Sequence, residues 1–145
     1  MIDISVEIDP ALEGPDQQQS IIILRSILET ELVVDSAINL VFGDDKLLSS
    51  LKMEFFNYDH LTDVIAFRLN DYNNEEVEGE IYISLPRAIE NAKKYGEPLS
   101  KELARLIIHG GLHLLDHKDE GEDEKNRMTA LEDKYLQQVK WKNLI

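Results

Sequence analysis

Apolar and polar residues alternate from Ile2 to Ile8, with Ile2, Ile4, Val6 and Ile8 on one side, which predicts a half-buried strand ending at Asp9-Pro10. The period then changes. Asp16 with Gln19 three residues on resembles a capping box, and Ile21, Leu24, Leu28 and Leu32 follow at helical spacing on one expected face. Ala37 to Phe42 predicts a second strand and Gly43-Asp44-Asp45 a turn and cap. Leu47, Leu48, Leu51 and Phe55 are expected on the buried side of a short helix. Thr62 to Leu69 and Glu80 to Leu85 are rich in Val, Ile, Phe and Tyr and flank the acidic stretch Asn70 to Glu76, as two strands in a hairpin or wider antiparallel connection would. Pro86 suits the first turn of a helix running to about Tyr95, which Gly96 and Pro98 stop. Ser100 is expected to cap the next helix, carrying Leu103, Leu106, Ile107, Leu112 and Leu114. A last amphipathic helix aligns Met128, Leu131, Tyr135 and Val139.

Strands early and helices late predict an α+β fold: a small mixed four-stranded sheet covered by helices. The 145 residues show no repeat and no linker, so one domain over residues 1–145 is expected, with 43% hydrophobic content to build its core. There is no long apolar run and no basic start, so the sequence reads as a soluble, cytoplasmic chain with neither membrane span nor signal peptide. Without cysteine, disulfides, thiolate zinc clusters and cysteine nucleophiles are out, and any metal site must use His, Asp or Glu.

The net charge of −14 speaks against unspecific binding of nucleic acid or anionic membrane. It is unevenly spread. Residues 1–80 hold 18 acidic and 4 basic side chains, whereas residues 81–145 hold 11 of each. Arg87, Lys93, Lys94, Lys101 and Arg105 make residues 81–108 slightly basic, although such residues most often line solvated helix faces.

Three of the four histidines lie in His109-Gly110-Gly111-Leu112-His113-Leu114-Leu115-Asp116-His117-Lys118-Asp119. His109 and His113, four apart on a helix, share a face and can point both imidazoles at one ion, as on a zincin-like metal helix. The glycines between them cost helix stability, which implies the close approach of another element or a ligand. A third ligand is needed. On a continuous helix His117 would stand about 12 Å from His109 along the axis, too far to converge on one ion. If the helix ends near Leu115 or Asp116, Asp119 has the slack to return. A carboxylate beside two imidazoles suits Zn²⁺ or another first-row divalent metal and leaves positions open for water and substrate.

These residues resemble the YbeY endoribonuclease family, formerly grouped as predicted metal-dependent hydrolases. The family signature His-Gly-x-Leu-His-Leu-x-Gly-x-Asp-His is matched by His109, Gly110, Leu112, His113 and Leu114. Its later Gly, Asp and His fall on Asp116, Lys118 and Asp119. Met128-Thr129-Ala130-Leu131-Glu132 is similar to a family helix start at the usual distance and favours that ungapped register. The resemblance therefore implies His109, His113 and Asp119 as ligands, with His117 the competing third ligand; otherwise His117 is a solvent-exposed loop histidine without a role, or a proton shuttle, which its chemistry near neutral pH allows. Thr62-Asp63-Val64-Ile65-Ala66-Phe67 and Gly79-Glu80-Ile81-Tyr82-Ile83-Ser84 are similar to two family strands, while a family arginine falls on Phe56, beside Asn57.

The resemblance implies a metal-dependent, single-strand-specific endoribonuclease with one Zn²⁺. It implies action in ribosomal RNA maturation, at the small-subunit RNA 3′ end, and in ribosome quality control, with the ribosome or its small subunit as partner. The ion would activate a water against a phosphodiester. Arg87, Lys93, Lys94 and Arg105 are candidates for RNA contact. A zinc peptidase on the same helix would lack the glutamate that follows the first histidine in His-Glu-x-x-His enzymes, since Gly110 stands there. A ribosome-associated module without metal is the third reading. His60 is expected near a strand entrance, and Asp63 as a partner for a ligating imidazole or a turn residue.

Overall fold

The structure is a computed structural model and describes residues 1–57 and 61–145, so the expectation for His60 lies outside the described residues. Four strands, β1 (Ile2–Ile8), β2 (Ser36–Gly43), β3 (Val64–Arg68) and β4 (Val77–Ser84), form a sheet ordered β1-β2-β4-β3. β1, β2 and β4 run parallel, and β3 joins the edge antiparallel to β4, which makes the sheet mixed as expected. Strand periodicity sorts its two faces. Ile4, Ile38, Leu40, Phe42, Ile81 and Ile83 turn inward and are buried. Asp3, Glu7, Glu78 and Glu80 alternate with them and turn to the other face, where part of the acidity of residues 1–80 is solvated.

Five helices complete the α+β fold: α1 (Gln17–Thr30), α2 (Asp45–Phe56), α3 (Leu85–Tyr95), α4 (Leu99–Leu114) and α5 (Glu122–Gln138). α4 is the central helix, touching α1, α3, α5, β3 and β4. Eleven of its 16 residues are buried. Its two glycines explain how closely it packs. A Cβ on Gly110 would stand 2.6 Å from Ile81 Cγ2 of β4, and one on Gly111 would stand 2.9 Å from Leu24 Cδ1 of α1. The helix is therefore wedged between sheet and α1 where only hydrogen fits.

Local chemistry shifts three expected details. α1 ends at Thr30, and Leu32 adopts φ 67° so that Val33 N–H can reach the Leu28 carbonyl at 2.8 Å; Leu32 is thus 85% exposed, and the buried stripe is Ile23, Leu24, Ile27 and Leu28. Phe55 is 59% exposed: it meets the Phe67 ring of the edge strand β3 edge-on at 5.1 Å, whereas Leu48, earlier in α2, is buried. Ser100 is not a cap. The Pro98 carbonyl accepts from Lys101 and Glu102 N–H, so α4 begins at Leu99 and the Ser100 hydroxyl bonds the Ile145 carbonyl instead. Among the described residues, no helix is long and apolar enough to cross a membrane.

Candidate metal centre

The C-terminal end of α4 builds the site. His109 and His113 lie one turn apart with their Nε2 atoms 3.0 Å from each other. α4 then stops: Asp116 takes φ 68°, its N–H bonds the His113 carbonyl and His117 N–H bonds the Leu112 carbonyl. This pair of bonds around a left-handed residue is the Schellman ending, which reverses the chain and frees Asp119 to come back. Asp119 Oδ2 lies 3.4 Å from His109 Nε2 and 3.4 Å from His113 Nε2. One donor atom from each of the three falls within 4.8 Å of the others.

Behind this group stands the last residue of the Met128-Thr129-Ala130-Leu131-Glu132 motif, to which the sequence assigns no role. Glu132 of α5 is buried, and its Oε2 is 2.5 Å from His109 Nδ1. A carboxylate there accepts the Nδ1 proton and leaves the Nε2 lone pair facing Asp119 and His113. The signal was available: Met128, Glu132 and Tyr135 recur at helical spacing on the buried side of α5. Arg105 secures Glu132 through Nη1 at 3.4 Å and grips Glu102 with Nε at 2.8 Å and Nη2 at 2.6 Å. Burial favours the neutral guanidine, but the bond to Glu102 and the charges of Glu102, Glu132 and Asp63 outweigh it, raising the Arg105 pKa. Burial first, and then the neighbouring His109, push the His113 pKa below the usual imidazole range, against the pull of Asp119. A neutral imidazole is the form that ligates a metal.

The triad opens into a cleft of about 840 Å³, lined also by Lys52, Phe56, Tyr72, His117 and Lys118. His117 lines it but is held by Glu31, 2.6 Å from its Nε2, and does not join the donor group. Asp63 also lines the cleft; it accepts from Asn91 at 3.0 Å and faces Arg105 at 3.6 Å, so it neither bonds a histidine nor merely shapes a turn. Arg87, Lys93, Lys94 and Arg105 are not among the described residues that line it. Arg87 pairs with Asp45 at 3.1 Å, Arg105 belongs to the carboxylate network, and Lys93 and Lys94 are exposed on α3. Among the described residues, the lysines that line the cleft are Lys52 and Lys118.

Against known proteins, the family model described as Endoribonuclease YbeY matches residues 14–140. The chain belongs to the YbeY family. It is 36% identical over 137 residues to the Endoribonuclease YbeY of Flavobacterium psychrophilum, covering 94% of each chain. With the Endoribonuclease YbeY of Chlorobium phaeobacteroides it shares 34% identity, covering 81% of this chain and 83% of that one. The YbeY-like architecture is also that of a Thermotoga maritima protein solved in solution, with a TM-score of 0.63 at 26% identity over 94% of this chain and 88% of that chain.

Proposed function

We propose that this protein is a metal-dependent, single-strand-specific endoribonuclease that hydrolyses phosphodiesters, with residues 1–145 acting as one domain. The observation that carries the reading is the convergence of His109, His113 and Asp119 at the floor of an open cleft in a chain of the YbeY family. Two imidazoles and a carboxylate suit Zn²⁺, and other divalent first-row metals less specifically. Such an ion supplies Lewis acidity toward a phosphoryl oxygen and lowers the pKa of water.

The chain's own residues prepare for that chemistry. Glu132 orients His109 by accepting a hydrogen bond from its Nδ1–H, and Arg105 holds Glu132 in place. The depressed pKa of His113 keeps its lone pair available near neutral pH. Asp119 closes the donor set with a negative charge. We assign His117 to holding the returning loop through Glu31, so that the role of proton shuttle has no geometric support from its ring. Gly110 packs on Ile81 and offers no carboxylate, which disfavours a peptidase, and the clustered donors disfavour a module that has lost its metal.

Family membership supports ribosomal RNA as the substrate class. Maturation of the small-subunit RNA 3′ end and ribosome quality control, in the cytoplasm and with the ribosome as partner, are the setting we assign. The test is incubation with single-stranded RNA, with and without a chelator, beside His113→Ala. The expected result is endonucleolytic cleavage by the wild type that chelation and the substitution both abolish. Equal cleavage by wild type and variant would overturn the reading.

A further inference from the structure

The cleft has a wall that holding a metal leaves unused. Lys52 and Phe56 of α2, Val64 to Ala66 of β3 and Tyr72 form it. Phe56 is 43% exposed beside a metal-competent group. It is braced as well as exposed. Phe67 lies near-parallel to it at 5.9 Å and 16°, and Phe55 and Tyr82 meet Phe67 edge-on at 5.1 and 5.9 Å. The Lys52 ammonium sits 4.7 Å from the Phe56 ring centroid on a flexible stem. A phosphodiester is a stronger partner for an ammonium than an aromatic face, so an incoming polyanion draws the lysine off the ring.

β3 adds directional groups. Among the described residues it pairs with β4 alone. The Asp63 carbonyl accepts from Ser84 N–H, and Leu69 N–H donates to the Glu78 carbonyl. In an antiparallel ladder these bonds recur at every second residue, so Ile65 and Phe67 face β4 while Val64 and Ala66 turn their N–H and C=O groups away from it.

We infer that this wall is a subsite for an unpaired nucleobase. The base stacks on Phe56, its hydrogen-bonding edge meets the outward backbone of β3 at Ala66, and the flanking phosphates meet Lys52 and Lys118. A base within a duplex has both faces stacked and its pairing edge in use, so it cannot enter; the wall thereby confers single-strand selectivity. The inference rests on the endoribonuclease reading and adds the residues that would select the substrate.

The test is fluorescence anisotropy with labelled octaadenylate in chelator, so that nothing is cut. It compares wild type, Phe56→Ala, Phe56→Leu and Phe56→Tyr, with an abasic version of the same RNA as control and thermal unfolding to confirm folding. The Ala and Leu variants are expected to bind about 5- to 100-fold more weakly, the Tyr variant like wild type, and the abasic RNA equally weakly to all four. Equal binding by all four proteins to octaadenylate, or a Leu variant as tight as Tyr, would overturn the subsite. If metal-loaded wild type still cleaves RNA in that case, the proposed activity stands without it. A wild type that neither binds nor cleaves RNA would overturn both.

Discussion

Glu132 and His109 are joined across two helices, with the carboxylate Oε2 2.5 Å from the imidazole Nδ1. The link sets which nitrogen of His109 keeps its lone pair, and it is itself held by Arg105. Glu132→Gln should therefore weaken metal binding about 10- to 100-fold, as loss of the partner of a ligating histidine does. Competition titration against a chromophoric chelator checks this. Unchanged affinity would remove Glu132 from the site.

The third donor can be tested by exchange. Asp119→Ala should cost more metal affinity than the second partner of a histidine does, beyond about tenfold. Asp119→His should restore much of it, because the position and not the carboxylate is what the returning loop supplies. His117→Ala should leave affinity near wild type, since its ring is bound to Glu31 and lies outside the donor group. A collapse of affinity in His117→Ala would reverse the two assignments.

Arg68 ties the loop between β3 and β4 to the end of α4. Its guanidinium donates to the Leu114 carbonyl at 2.8 Å, to Asn70 Oδ1 at 2.6 Å and to the Asp71, Asn74 and Glu76 carbonyls at 3.1–3.3 Å. Arg68→Ala should destabilise the protein by about 2–4 kcal/mol in urea denaturation, because several charge-assisted bonds are lost at once. Lysine should not rescue it, having no planar fork to span those acceptors.

Asp116 carries a left-handed backbone at φ 68° to end α4. An L-residue with a Cβ pays about 1 kcal/mol there, which glycine does not. Asp116→Gly should raise stability by no more than about 0.5 kcal/mol, because the extra freedom of its unfolded chain offsets much of that gain. Metal affinity should be unchanged. A destabilised variant would show that the Asp116 side chain contributes more than its backbone costs.

Tyr135 is buried and donates its hydroxyl to Glu31 Oε2 at 2.8 Å. Burial, and then that bond and the charge of Glu31, raise its pKa above the usual 10. Below pH 10 the phenol is neutral in both folded and unfolded chains. Above it the unfolded chain ionises first, so stability falls as pH rises. Unfolding temperatures between pH 9 and pH 11 should drop more steeply for wild type than for Tyr135→Phe. Parallel curves would contradict the shift.

Much of the fold was legible because its signals are local. Alternation in β1, the β-rich runs of β2 and β3, and the proline and glycine around α3 each act within one element. Misplaced details came from packing against distant parts of the chain. Phe55 has an apolar side chain and helical spacing, yet it meets Phe67 of the edge strand β3 edge-on and stays exposed, and nothing within the helix records that. Ser100 has the chemistry of a cap, but the backbone at Pro98 starts the helix earlier. Arg87, Lys93, Lys94 and Arg105 lie outside the cleft lining: Arg105 grips Glu102 on its own helix and is drawn further into carboxylates contributed by α5 and by the segment before β3. Lys52 and Lys118, far apart in sequence, meet in the cleft instead.

By itself the sequence determined the class of fold, the absence of thiol chemistry and the pair His109 and His113, because helical spacing places both imidazoles on one face whatever surrounds them. It also showed that Gly110 and Gly111 admit the close approach of another element or a ligand, without deciding between them or naming Ile81 and Leu24 as the neighbours. Only the tertiary structure brought Asp119 and not His117 to the histidines, placed Glu132 behind them and Phe56 beside them. Those choices depend on where the chain turns at Asp116, on what Glu31 holds and on how α5 crosses α4, which are contacts between residues that sequence order keeps apart.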